Sequence, residues 1–120
     1  MQDYHNLKLW KESLEFVKLV YRLVKMFPAD EMYGLTSQLR RAAVSVMANV
    51  VEGRGKKTDK DFLKFLYISN GSLNECQCYF ELAKELDYIS EKQFDFIYKK
   101  SKEVGFLLYK LINSLSLQGQ

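Results

Sequence analysis

Apolar residues recur along this chain at alternating steps of three and four, the spacing of one face of an α-helix. The first such line runs Leu7, Trp10, Leu14, Val17, Tyr21, Val24, with a second seam beside it at Leu9, Phe16, Val20, Leu23 and Phe27. The pattern predicts a helix over residues 7–27. Pro28 ends it, because proline lacks an N–H and disfavours the helical conformation of the residue before it.

Three more helices follow. The connector "ADEMYGLT" leads into a segment over residues 35–53, in which Leu35, Leu39, Ala43, Val46, Met47 and Val50 share one side. Thr36 or Ser37 is placed to cap its start, and "EGRGKK" closes it with permissive glycines and cations. Thr58 and Asp61 form a capping-box pattern that opens a helix over residues 58–86, with Phe62, Phe65 or Leu66, Ser69, Leu73, Cys76, Phe80 and Ala83 on its seam. Gly71 inside that helix costs about 1 kcal/mol against alanine, and a close helix–helix approach is the expected reason. Ser90 and Gln93 form a second capping box. It opens a helix over residues 90–115 with Phe94, Ile97, Ser101, Val104, Leu108, Leu111 and Leu115 inward. The tail "LQGQ" is expected to fray.

Four long amphipathic helices with short links give an all-α fold: an antiparallel up-down-up-down four-helix bundle, one domain over residues 1–120. The two seams of the first helix and the broad apolar circumference of the second and third exceed what one small bundle buries. Copies of the chain are therefore expected to cover part of this surface.

Composition narrows the class. The chain has 120 residues, 48% hydrophobic, with a net charge of +3. That balance permits a nucleic-acid partner without demanding one. The start, "MQDYHNLKLWKESLEF", lacks the apolar core of a signal peptide, and no run reaches the roughly 18 apolar residues of a spanning helix. Cys76 and Cys78 sit two apart on a helix and cannot readily bridge each other. Free thiols without a disulfide framework fit a cytoplasmic protein.

Catalysis finds little support. A di-metal carboxylate bundle needs Glu-x-x-His on two helices, and the one histidine, His5, lies before the first helix. Cys76 and Cys78 alone are too few for a tetrahedral zinc site. Ser37, Ser45, Ser69 and Ser72 have no histidine base in the bundle. "EGRGKK" lacks the spacing of a phosphate-binding loop. No metal, cofactor or enzymatic activity is expected.

Two polar features remain. On the second helix Gln38, Arg41, Ser45, Asn49 and Glu52 fall within a sector about 80° wide, and on the third Ser72 and Glu75 interrupt a seam of Phe65, Ile68, Tyr79 and Leu82. One reading is a buried hydrogen-bonded network that fixes helix register, with Arg41 paired to Glu75 or Glu52. The other is a recognition surface for phosphate or a partner chain. The second feature is basic: Arg54, Lys56, Lys57, Lys60 and Lys64 cluster at the turn between helices two and three, with Arg40 one helix earlier. In an oligomer that gathers several such turns, the potentials add and the patch suits a phosphate backbone, without sequence readout.

The same residues carry a family resemblance. "YGLTSQLRRAAVSVMANVVEGRGKKTDKDFLKFLYISNGSLNEC" resembles the core block of the four-helix-bundle proteins encoded within 23S rRNA intervening sequences. "FELAKELDYIS" and "LKLWKESLEFVKLVYRLVKMFP" extend the likeness over nearly the whole chain. Its combined motifs are Gly34-Leu35-Thr36, Gln38, Arg40-Arg41-Ala42, Ser45, Asn49, Glu52-Gly53 and Gly71-Ser72-Leu73 with Glu75. The resemblance implies an up-down bundle assembled as a homo-oligomeric ring, typically a pentamer, with no established enzymatic activity. It further implies kinship with accessory proteins of diversity-generating retroelements, which are thought to bind nucleic acid and a reverse transcriptase. One departure stands in the second helix. Many members carry Ile-Pro-Ser-Asn where this chain has Val46-Met47-Ala48-Asn49, and losing the proline removes a source of kinking.

Two functions are carried forward. The first is a non-enzymatic oligomer binding nucleic acid, RNA favoured, through Arg40, Arg54, Lys56, Lys57, Lys60 and Lys64. The alternative is a protein-interaction scaffold for a partner such as a reverse transcriptase.

Overall fold

Helices account for most of the described backbone. The structure, a computed structural model, describes residues 3–118. They form α1 (Lys8–Leu23), α2 (Leu35–Arg54), α3 (Asp59–Glu85) and α4 (Glu91–Gln118), with short 3₁₀ turns at Tyr4–Asn6, Val24–Met26 and Ala29–Glu31. No strand occurs among the described residues. Each helix packs on its neighbours in chain order, and α1 closes the square against α4. The result is an up-down bundle 46 Å long and about half as wide.

The inward seams supply the core. Phe16 and Phe80 meet edge to face across the bundle with ring centroids 6.1 Å apart. Leu39, Val46, Val50, Leu66, Leu73, Ile97, Val104 and Leu108 are fully buried around them. The two lines of the first segment fare differently: Leu9, Phe16, Val20 and Phe27 of the second are buried, whereas the first is mixed, with Val17 and Val24 buried and Leu14 and Tyr21 facing outward. Serines fill seam positions where helices approach. Ser69 Oγ donates to the Val46 carbonyl of α2 at 2.7 Å. Ser101 donates to the Tyr98 carbonyl at 2.6 Å and accepts from Gln77 of α3 at 3.1 Å.

The helix ends follow local chemistry, with two departures from expectation. α1 stops at Leu23 and tightens into a 3₁₀ turn, and Phe27 is extended (φ −75°, ψ 151°) ahead of Pro28. Neither Thr36 nor Ser37 caps α2. Both lie inside the helix, and Gly34 holds the cap position without a side chain. The Glu31 carboxylate takes over, accepting the Leu35 N–H at 3.0 Å and the Tyr88 hydroxyl at 2.7 Å. One side chain thus ties the α1–α2 connector to the start of α2 and to the α3–α4 turn, where Tyr88 also packs on Phe27.

Thr58 caps α3 by accepting the Asp61 N–H. Ser90 and Gln93 exchange both capping-box bonds ahead of α4. α3 ends in a Schellman turn. The Tyr88 N–H reaches the Ala83 carbonyl and the Asp87 N–H the Lys84 carbonyl, with Asp87 at φ 60° where glycine is usual. α4 is helical through Leu117 and Gln118, past the predicted boundary, and the last two residues of "LQGQ" lie outside the described residues.

Candidate nucleic-acid interface

The α2–α3 turn is built on a close approach. A Cβ on Gly53 would lie 2.8 Å from Phe62 Cδ1 and 2.9 Å from Phe65 Cβ, so only glycine lets α3 come this near. The sequence reading gave that role to Gly71. Gly71 instead faces outward, with nothing within 4 Å of where its Cβ would stand. The chain turns through Gly55 and Lys56, whose N–H groups bond back to Val51 and Gly53. Lys56, Lys57 and Lys60 thereby project from one end of the bundle, with Lys64 one turn along α3, all exposed.

Their electrostatic surroundings differ. Lys56 lies 3.9 Å from the Glu52 carboxylate and 5.1 Å above the Phe65 ring. Lys57, Lys60 and Lys64 enter no ion pair among the described residues, although exposed Asp59 and Asp61 stand nearby in the first turn of α3. Those two carboxylates favour the helix N-terminus and offset part of the positive field. Arg54 is half-buried in the last turn of α2. Arg40 belongs elsewhere. It sits about 21 Å up the helix at 1.5 Å per residue, half-buried, its guanidinium 5.3 Å over the Tyr21 ring and 3.9 Å from Met32 Sδ. The six predicted contacts therefore form one cluster of five and one distant arginine.

The polar line on α2 also divides. Ser45 Oγ and Ser72 Oγ are 2.7 Å apart across the α2–α3 seam. Asn49 Nδ2 donates to both the carbonyl and the hydroxyl of Ser45, at 2.8 and 3.0 Å. These three are half-buried and form the network. Gln38, Arg41, Glu52 and Glu75 are exposed and outside it. The ion pair expected of Arg41 does not form. Glu52 is eleven residues along the same helix, about 16 Å away along the axis, and is engaged by Lys56. Glu75 accepts the Tyr79 hydroxyl one turn along α3 at 2.7 Å. That bond pushes the Tyr79 phenol up to about 12.

Other chemistry is sparse. Among the described residues no three His, Cys, Asp or Glu side chains gather as a metal cluster, and no helix is long and apolar enough to cross a membrane. Cys76 is buried, which pushes its thiol up to about 12, while Cys78 faces solvent. His5 lies outside the bundle, bonded to Asp3 and stacked on Tyr4 near Trp10.

Sequence reasoning missed the outward side of α4, where Lys92, Phe96, Lys99, Phe106 and Lys110 share a sector about 80° wide. All five are exposed, Phe96 and Phe106 by more than half. Phe96 lines one hollow of the α1–α4 seam, with Arg22, and Lys99, Phe106 and Lys110 line another farther along it, with Lys8 and Lys102. The signal was present in "KQFDFIYKKSKEVGFLLYK" as a second periodic line behind the inward seam.

Comparison with known proteins bears on the whole chain. No curated protein matches it. A crystal structure of a protein of unknown function from the S23 ribosomal protein family of Bacteroides thetaiotaomicron VPI-5482 is similar at 27% identity and a TM-score of 0.81. The likeness covers 88% of this chain and 95% of that one. The family model described as 23S rRNA-intervening sequence protein matches residues 5–110. That span takes in the core of all four helices, the half-buried Ser45–Asn49–Ser72 network and the basic turn, and the chain belongs to the 23S rRNA-intervening sequence protein family.

Proposed function

We propose that this protein is a non-enzymatic oligomer that binds the phosphate backbone of nucleic acid, RNA foremost, through the α2–α3 turn. The observation that carries the reading is the trio Lys57, Lys60 and Lys64, exposed beside the turn and engaged in no ion pair among the described residues. Flexible ammonium groups suit phosphate oxygens without reading bases. No aromatic ring occurs among residues 55–61, and the exposed Tyr67, which shares a shallow hollow with Lys60 and Lys64, offers a base a stacking face without hydrogen-bond readout, so binding is indifferent to sequence. The family's association with rRNA intervening sequences gives RNA its preference. An oligomer multiplies the cations on offer, and each phosphate neutralised releases counterions.

The test is binding of a generic RNA over stepped salt. Affinity falls linearly on logarithmic axes as salt rises, and the Lys57→Glu, Lys60→Glu, Lys64→Glu variant loses it. Affinity that is flat with salt overturns the reading. Co-purification of a protein partner, unaffected by that variant, would favour the scaffold alternative.

A further inference from the structure

Two outward faces of this molecule are apolar, equally long and opposite in charge. On α3, Tyr67, Gly71, Cys78, Leu82 and Glu85 fall within a sector about 60° wide, flanked by Ile68 and Leu86. All are exposed, Leu82 and Leu86 at 45% and 46%. Glu75, Glu81 and Glu85 are the carboxylates of this stretch. Its one cation, Lys84, turns away to lie 4.3 Å over the Phe94 ring of α4. The other face is the α1–α4 groove. It has two successive hollows: Phe96 lies by Arg22 in one, and Phe106 lies among Lys8, Lys99, Lys102 and Lys110, against Glu12 and Glu103, in the other.

We propose that the α3 face of one copy seats in the α1–α4 groove of the next. The proposal rests on the self-assembly in the functional reading above and assigns it a surface. Charge complementarity selects the occupant. The groove is net positive with exposed phenylalanines, and the chain itself carries the acidic, aliphatic ridge that answers it. Length agrees: the ends of Ile68–Leu86 and of Lys92–Lys110 are each eighteen residues apart, about 27 Å of helix. Gly71 and Cys78 make the ridge low at its centre, so the bulky phenylalanines can approach its backbone. A nucleic acid in the groove would leave Ile68, Leu82 and Leu86 uncovered. The two faces differ, so the contact is heterologous: each copy offers a ridge to one neighbour and a groove to another. It therefore propagates to a ring or a filament.

Light scattering on the wild type and two variants tests this, with circular dichroism confirming the helical fold. Leu82→Lys with Leu86→Lys spoils the ridge. Phe96→Gln with Phe106→Gln spoils the groove. Each variant alone runs at the mass of one chain, 14.1 kDa. Mixed together they form a one-to-one dimer and nothing larger, because one intact ridge meets one intact groove. Alkylation of Cys78 is slow in the wild-type assembly and fast in the groove variant, whose substitutions lie on the opposite face.

A wild type that is a monomer at every concentration overturns self-assembly itself, and this contact with it. A multimeric wild type whose variants remain multimeric overturns this contact alone. Dissociation of the ridge variant only, with the groove variant still assembled, points to a symmetric α3–α3 contact and overturns the proposal. So does a groove variant of unchanged mass that has lost RNA binding.

Discussion

The two sides of the α2–α3 pair use similar residues to opposite ends. On the inward side, Gly53, Ser69 and Val46 bring the backbones together: a missing Cβ admits the Phe62 ring, and a serine bonds a carbonyl of the facing helix. On the outward side, Gly71, Ser72 and Arg41 stand in or near solvent, and Ser72 bonds across to α2 only through a pair of hydroxyls among the described residues. Residue type does not distinguish the glycines. Depth does, because the worth of a contact depends on whether water or protein replaces it when it is lost.

Truncation on the inward side is the harshest way to press that difference. Leu66→Ala removes a fully buried side chain between the helices, and a loss of about 2–5 kcal/mol in denaturant unfolding is expected. Gly53→Ala comes next. The helix-propensity gain of alanine is outweighed by collision with Phe62 and Phe65, for a net loss of about 1–3 kcal/mol. Ser72→Ala deletes the outward hydroxyl pair and costs about 0.5–1.5 kcal/mol.

The smallest pair carries the comparison to its limit. Gly71→Ala meets nothing and stabilises the folded chain by up to about 1 kcal/mol, measured in the ridge variant so that assembly does not enter. The opposite signs at Gly53 and Gly71 are the sharpest form of the contrast, and equal signs would break it. Arg41→Ala changes stability by no more than about 0.5 kcal/mol, as for a surface site. A larger loss would show that Arg41 has a structural partner after all.

The fold was legible because periodicity reports which residues share a face. The inward lines of α3 and α4 are the buried residues, Leu66, Ser69 and Leu73 on one and Ile97, Ser101 and Val104 on the other. Caps built within four residues were legible too, as at Thr58 and Ser90. What periodicity leaves out is axial distance and the neighbouring helix. Arg41 and Glu52 share a sector of α2 but are three turns apart. Glu75 has a partner on its own helix in Tyr79. Arg40 and Arg54 were grouped by charge and are separated by most of a helix. Gly71 sat in an interrupted apolar pattern that could face either way, and only the placement of Phe62 and Phe65 shows that Gly53 marks the approach. The five cations of the basic turn stay together because they lie within eleven residues of chain, Arg54 to Lys64.

Glu31 gives the end of the bundle remote from the lysine turn its own sensitivity to acid. The Leu35 N–H, and then the Tyr88 hydroxyl, hold its carboxyl below the usual carboxylate range. A carboxyl depressed on folding stabilises above its unfolded pKa, and that contribution is lost as pH falls through the depressed folded value. Acidification should therefore release a clasp before it melts a core. Once Glu31 takes a proton, α2 loses its cap and the α3–α4 turn loses its tie. The Leu35 amide should then exchange with solvent faster, relative to its intrinsic rate at each pH, while the amides of Val46 and Val50 stay protected. Glu31→Gln should show the faster exchange already at neutral pH. The molecule would open from the connector end inward, leaving the basic turn standing on the closely packed Gly53–Phe62 contact.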